Sequence, residues 1–205
     1  MKMLSKSAVL AGVTTALLGF SMSASAVVDP PTEDFTGAYA VGNWTQSLGD
    51  GLIDLTGAPN AVTLTSGNAG SPSLTSFTIA ASSAATVSFN WSYSTAENAN
   101  DDGSPANDQA IFLLGSTPIA LSNNGASPIG DGSFSPQNGV DSSFSVLNGQ
   151  VFGFSVDSTD GCCGAATLTI SNFKVSPVPE PGSLAMLTAG LMVVVAARKR
   201  KQPQS

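Results

Sequence analysis

The sequence contains no histidine among its 205 residues. A catalytic triad with a histidine base and the usual zinc sites both depend on this residue, so its absence excludes them. The chain also lacks a P-loop and a dinucleotide-binding fingerprint in the strand–turn–helix context that each motif requires. These absences remove most nucleotide-dependent enzymes and most serine or cysteine hydrolases from consideration.

Positive charge is nearly absent from the central part of the chain. Residues 27–177 contain one cation, Lys174, and thirteen of the fourteen acids, which leaves this segment with a net charge of −12. A surface of this sign repels phosphate backbones, so nucleic acid is excluded as a partner. Cations and neutral polymers remain, although a low content of Lys and Arg also keeps a protein soluble without any binding role.

The N-terminal end has the order of features that is typical of a signal peptide. Lys2 and Lys6 precede an apolar stretch from Ala8 to Phe20, and the A-x-A site Ala24-Ser25-Ala26 follows. We predict that residues 1–26 are removed by signal peptidase, so that the mature chain begins at Val27. An ordinary buried N-terminal helix is the alternative.

The C-terminal end combines a proline-flanked motif, an apolar run and a basic terminus. Pro179-Glu180-Pro181 precedes the run from Leu184 to Ala197, and Arg198, Lys199, Arg200 and Lys201 follow it. A helix over residues 182–197 is about 24 Å long, against a hydrocarbon core of about 30 Å. It spans a membrane if the terminal cations extend to the interface. The basic end then stays in the cytoplasm and the rest of the protein lies outside.

This order of motif, apolar span and basic end resembles the PEP-CTERM sorting tail of Gram-negative envelope proteins, here over residues 178–205. The resemblance implies recognition by an exosortase, in a species that makes exopolysaccharide. It also implies an exported precursor anchored in the inner membrane, which then reaches the cell surface or the extracellular space. The tail is a targeting signal and implies no activity.

Between the two ends, the recurring pattern has a period of two residues. In the clearest run, Thr86–Tyr93, four apolar side chains alternate with polar ones, which is typical of a half-buried strand. No segment shows a sustained helical period. We therefore predict that residues 27–177 form an all-β domain, a two-sheet β-sandwich or jelly roll. The other predicted strands are 35–41, 61–65, 74–79, 110–114, 118–121, 132–134, 144–146, 152–156 and 166–171.

Three strings within this domain resemble a recurring group of small exported PEP-CTERM proteins of unassigned function. They are Ser88–Thr95, Phe152–Asp160 and Ala166–Phe173, and the resemblance extends from Ser88 to Pro181. It implies an all-β exported domain and transfers no catalytic residue.

Two connections have the composition of hairpin turns. Asn148-Gly149 stands between two alternating runs, a pair that tolerates positive φ at both turn positions. Residues 157–164 join the last two predicted strands through another turn-rich segment. We predict a β-hairpin at each connection.

The longest polar insert, residues 94–109, contains the candidate metal ligands Asp101, Asp102 and Asp108. Carboxylate and amide oxygens are the ligands that Ca²⁺ prefers, and it takes six to eight of them. The spacing does not fit an EF-hand loop. A hydrated loop whose Asn, Asp and Gly simply favour turns is the alternative.

Cys162 and Cys163 are adjacent and are the only cysteines of the chain. In an oxidising compartment two cysteines usually pair, and flanking glycines help the backbone to accommodate a disulfide between neighbours. We favour this vicinal disulfide, as a rigid loop tip, over two free thiols or bonds to a second chain.

These observations favour a non-enzymatic surface or matrix protein that binds exopolysaccharide or calcium, and no residue is predicted to be catalytic. One alternative is a glycan hydrolase, which needs only two carboxyl groups about 5–10 Å apart. Another is a structural surface protein without a ligand.

Overall fold

The computed structural model describes residues 30–102, 107–178, 190 and 192. The chain divides into two compact units, Val27–Glu180 and the two terminal segments Met1–Ala26 and Pro181–Ser205. Among the described residues, no helix is long and apolar enough to cross a membrane. The residues of the predicted targeting signals lie outside the described part of the chain: Ala24, Ala26, Val27, Pro179, Glu180, Pro181, Arg198, Lys199, Arg200 and Lys201.

Eleven strands, two 3₁₀ turns and one helical turn make up the described part of the larger unit. In chain order the strands are β1 (Thr32–Glu33), β2 (Thr45–Ser47), β3 (Leu52–Asp54), β4 (Ala61–Thr65), β5 (Ser73–Ala80), β6 (Ala85–Thr95), β7 (Asp108–Leu114), β8 (Thr117–Ala120), β9 (Gln137–Val146), β10 (Val151–Ser158) and β11 (Ala166–Pro177). The 3₁₀ turns are Gly37–Tyr39 and Val41–Asn43, and the helical turn is α1 (Ala99–Asp102).

The strands pair antiparallel in two sheets. The first sheet has the order β3-β4-β11-β6-β9, with β1 also paired to β11, and the second has the order β2-β5-β10-β7-β8. The prediction of an all-β domain with two sheets is confirmed. The period-two pattern produces this result because each sheet buries one face against the other.

The core between the sheets is mainly aromatic. Phe89 of the first sheet meets Phe154 of the second edge to face, with the ring centroids 4.8 Å apart. Burying each such side chain contributes about 1.5–3 kcal/mol. Among the described residues, six phenylalanines are fully buried: Phe77, Phe89, Phe112, Phe152, Phe154 and Phe173.

Two predicted strands are wrong. Residues 35–41 contain the 3₁₀ turn Gly37–Tyr39 and the start of the second, Val41–Asn43, and the φ of +55° at Gly37 is incompatible with a strand. Trp44 then stacks on Phe77 at 4.5 Å, so the apolar side chains of this segment fill the space between the sheets. Residues 132–134 form only an isolated bridge, between Ser133 and Asn98, and Gly132 has a φ of +84°.

Both predicted hairpins are also wrong, because each connection crosses from one sheet to the other. At Asn148-Gly149 the Leu147 carbonyl accepts a hydrogen bond from the Gln150 amide at 2.9 Å, which closes a turn with positive φ at Gly149 alone. However, β9 pairs with β6 in the first sheet and β10 pairs with β5 and β7 in the second. The connection from β10 to β11 changes sheet in the same way. Turn chemistry fixes the reversal of the chain but does not decide which sheet the next strand joins.

Candidate functional site

Three acidic side chains from separate parts of the chain meet at one end of the sandwich. Glu97 follows β6, Asp108 begins β7, and Asp160 lies in the connection from β10 to β11. One carboxylate oxygen of each lies within 4.8 Å of the other two. Glu97 and Asp108 are 2% and 0% exposed, and Asp160 is half-buried. We call these three residues the acidic cluster.

Asp108 is held in place by groups from several strands. Its Oδ2 accepts hydrogen bonds from the Ser66 hydroxyl, just after β4, and from the Ala166 amide at 2.9 Å, at the start of β11. The Tyr93 hydroxyl of β6 donates to the Asp108 backbone carbonyl. In the register of the second sheet, Asp108 lies opposite Ser158 of β10. The position of this carboxylate is therefore fixed by both sheets.

The second carboxylate oxygen of Asp108 has a different environment. Oδ1 is completely buried and accepts no hydrogen bond from the described residues. Burial raises the pKa of Asp108, and the negative charge of Asp160 adds to the rise, whereas the Ser66 and Ser158 hydroxyls and the Ala166 amide oppose it. The hydrogen bonds from these donors offset part of the cost of burying the carboxylate.

Two carboxylates of the acidic cluster also affect the ionisation of Tyr93. Burial raises the pKa of its hydroxyl, and the neighbouring carboxylates of Asp108 and Glu97 raise it further. Tyr93 therefore stays protonated, and its hydroxyl remains a donor to the Asp108 carbonyl.

Asn107 connects the other two members of the acidic cluster. Its amide N–H donates to Glu97 Oε2 at 2.6 Å, and its side-chain Nδ2 donates to Asp160 Oδ2 at 2.9 Å. Its carbonyl accepts a hydrogen bond from the Thr159 hydroxyl at 3.0 Å. Asn107 thus fixes the spacing between Glu97 and Asp160.

The connection that carries Asp160 is tightly packed. The structure joins Cys162 and Cys163 in a disulfide, and the Cys162 amide donates to Asp160 Oδ1 at 3.2 Å. Gly164 has a φ of +133°, and a Cβ there would lie 2.3 Å from the Ala96 carbonyl carbon. Only glycine allows this close approach to the segment that carries Glu97.

Of the three predicted metal ligands, the structure brings only Asp108 into the acidic cluster. Asp101 is exposed on α1 and belongs to no group of converging acids within the described part of the chain, and the side chain of Asp102 lies outside that part. Sequence reasoning missed Glu97 and Asp160. Each of them follows the end of a strand by two residues, after Thr95 and after Ser158, which was the available signal.

A second region of interest is the outer face of the first sheet. One row crosses four strands through Thr63, Thr169, Ser92 and Asn138, and its continuation on β3 is Asp54, at the edge. A groove of about 310 Å³ lies on this face. It is lined by Ser92, Tyr93, Ser94, Pro136, Gln137, Asn138, Thr167 and Thr169. We call the four-residue row, which carries no charge, the neutral row.

Solved structures that are similar to this chain include carbohydrate-binding modules. A mannan-recognising module, TmCBM27, is 13% identical with a TM-score of 0.38, and the match covers 74% of this chain and 98% of that one. The CBM29-2 module complexed with cellulohexaose is 11% identical with a TM-score of 0.39, over 75% of this chain and 99% of that one. At these identities and TM-scores, neither similarity supports a conclusion about this chain.

The sequence itself gives a more specific result. Residues 177–201 match the PEP-CTERM protein-sorting motif, which confirms the predicted sorting tail. No curated protein matches the chain.

Proposed function

We propose that the protein is a non-enzymatic, exported surface protein that an exosortase processes at its C-terminal tail. The observation that carries this proposal is the PEP-CTERM match over residues 177–201. The motif implies an exported precursor that is anchored in the membrane before processing. A span of this length is a marginal anchor, which suits temporary attachment.

The burial of the acidic cluster supports a role without catalysis. A glycoside hydrolase must present two carboxyl groups to a sugar. Glu97 and Asp108 are 2% and 0% exposed, so a polysaccharide chain cannot reach them. The cluster therefore gives no support to the alternative of a carboxylate-dependent hydrolase.

We further propose that the domain contacts neutral exopolysaccharide through the neutral row and its groove. The hydroxyl and amide groups there can exchange hydrogen bonds with sugar hydroxyls, each worth about 0.5–1.5 kcal/mol. No exposed aromatic side chain is found among the described residues, so stacking would not add to this affinity. Binding by one domain is therefore weak, and many copies on a surface would strengthen it.

The test of the sorting function is the substitution Glu180→Ala in the full-length precursor. It lies outside the apolar run, so membrane insertion should be unchanged. Recognition of the motif should fail, and the variant should accumulate in the inner membrane with its tail attached. Cell fractionation followed by mass spectrometry of the C-terminal peptide measures both effects.

The matched control is Gln202→Ala, which removes a polar side chain from the same tail beyond the basic end. This variant should be processed like the wild type. Equal processing of Glu180→Ala and wild type would contradict recognition of the motif.

A further inference from the structure

We infer that the disulfide between Cys162 and Cys163 is a reducible site for a dithiol, and that its reduction loosens the connection from β10 to β11. We call residues 159–165, which include both cysteines, the cysteine connection. The inference does not depend on the proposed function. It gives the disulfide a role beyond that of a rigid loop tip, because opening the bond changes the contacts at one end of the sandwich.

The cysteine connection is hydrogen-bonded to segments on two sides. The Gly161 carbonyl accepts a hydrogen bond from the Gly70 amide at 2.7 Å, between β4 and β5. The Ala165 carbonyl accepts one from the Ala96 amide at 3.0 Å, just after β6. A change in the backbone of the connection therefore exposes amides that belong to other parts of the chain.

The disulfide also lies beside the acidic cluster. The Cys162 amide donates to Asp160 Oδ1 at 3.2 Å, and Cys162 Sγ lies 3.6 Å from Asp160 Oδ2. The same Oδ2 accepts a hydrogen bond from Asn107 Nδ2 at 2.9 Å. The position of Cys162 is thus linked through one carboxylate to the residue before β7. If Cys162 moves, Asp160 is free to move away from the other two acids, whose negative charges repel it.

The backbone of Cys163 has an unfavourable conformation. Its φ is +68°, in the left-handed region that residues with a Cβ rarely adopt. Gly161 and Gly164 also have positive φ, at +67° and +133°, but glycine adopts these values at little cost. The bond to Cys162 holds Cys163 in this region. Opening the bond therefore allows the backbone to relax.

The bond joins neighbours, which makes its effect local. In the chain-entropy model a disulfide stabilises a protein by restricting the unfolded chain, and the effect grows with the length of the closed loop. A bond between adjacent residues closes the shortest possible loop, so its reduction should change global stability little. The expected consequence is local opening of the cysteine connection. A disulfide that joins distant segments would have the opposite balance of effects.

Reduction proceeds by two thiol–disulfide exchanges. Both cysteines are half-buried, so solvent reaches part of each. One thiolate of the dithiol attacks a cysteine sulfur and forms a mixed disulfide, and the other cysteine leaves as a thiolate and takes up a proton. The second thiol of the reagent then displaces the remaining cysteine. Two electrons pass to the protein, both cysteines become thiols, and the dithiol closes to its own disulfide.

The test compares the protein purified from its host before and after treatment with dithiothreitol. Intact mass should rise by two hydrogens. Hydrogen exchange of the Gly70 and Ala96 amides should become about tenfold faster or more, while Tm falls by no more than about 2–4 °C. The turn closed by Leu147 and Gln150, before the start of β10, is the internal reference and should exchange as before.

Three outcomes would overturn the inference. The first is a disulfide that dithiothreitol does not open. The second is a reduced protein whose Gly70 and Ala96 amides exchange at the original rate. The third is equal acceleration at these amides and at the reference turn, which would show loosening of the whole domain.

A variant without either thiol provides the control. Cys162→Ser combined with Cys163→Ser keeps the size of both side chains but cannot form the bond. Its Gly70 and Ala96 amides should exchange like those of the reduced wild type, and dithiothreitol should have no further effect. A response of this variant to dithiothreitol would show that the reagent acts elsewhere and would contradict the inference. The wild-type comparison does not depend on the folding of the variant.

Discussion

The acidic cluster and the neutral row lie in the same sandwich but differ in charge. The cluster consists of carboxylates, whereas the row has no charged side chain. At the cluster, three carboxylates converge within 4.8 Å and two are buried. Along the neutral row, four uncharged side chains cross the outer face of the first sheet. An exposed hydroxyl costs little to place on a sheet, whereas buried carboxylates oppose folding unless something binds them. The acidic cluster is accordingly held by hydrogen bonds from Ser66, Asn107 and Ala166.

The two regions share strands, so the contrast is built into the fold. Ser92 of β6 belongs to the neutral row, and the same strand leads into Glu97. Thr169 of β11 belongs to the row as well, and the amide that begins this strand, at Ala166, donates to Asp108. The effects of substitutions in the acidic cluster can therefore be compared with those of substitutions in the neutral row, because both regions lie on the same strands.

The largest expected effect is at the packed connection beside the cluster. Gly164→Ala should lower the free energy of unfolding by about 3 kcal/mol or more, because it adds a clash with the Ala96 backbone to an unfavourable φ. Gly149→Ala is the matched control, since its φ is +76° but nothing lies within 4 Å of an added Cβ. It should cost about 1–2 kcal/mol. Denaturant unfolding of both variants measures the difference, and equal losses would show that the connection is not tightly packed.

A smaller effect is expected on the neutral row. Ser92→Asp should leave the free energy of unfolding within about 0.5 kcal/mol of wild type, but should weaken binding to neutral exopolysaccharide by about fivefold, the equivalent of one hydrogen bond. Retardation in gels that contain the host polysaccharide measures this affinity. Thr78→Asp, on the outer face of the second sheet, is the control and should migrate like wild type. Equal loss of retardation in both variants would remove the neutral row as the binding surface.

The sequence predicted the strands better than it predicted their partners. The alternation in Thr86–Tyr93 locates β6, because a strand that buries one face has apolar and polar residues in alternation. Asn148-Gly149 marks a reversal of the chain, but pairing within a sheet and crossing between sheets require the same local turn. The 3₁₀ turns at residues 37–43 were missed because their apolar residues also alternate.

The candidate site shows the same limit. Asp108 was predicted to be a metal ligand from the acid-rich insert, but the acids it meets, Glu97 and Asp160, stand far from one another in the sequence. Their convergence depends on β6 and β10 ending, and β7 beginning, at the same end of the sandwich. A sequence pattern contains no information about that until the sheet order is known.

The measurement that tests the proposed function most directly is the intact mass of the wild-type protein recovered from the cell surface. Removal of the signal peptide and processing of the tail predict a chain that begins at Val27 and ends close to Pro179-Glu180-Pro181. The disulfide predicts a mass two hydrogens below that of the reduced form. A surface form that retains an intact Arg198–Ser205 end would show that the tail is a permanent anchor and would contradict the account.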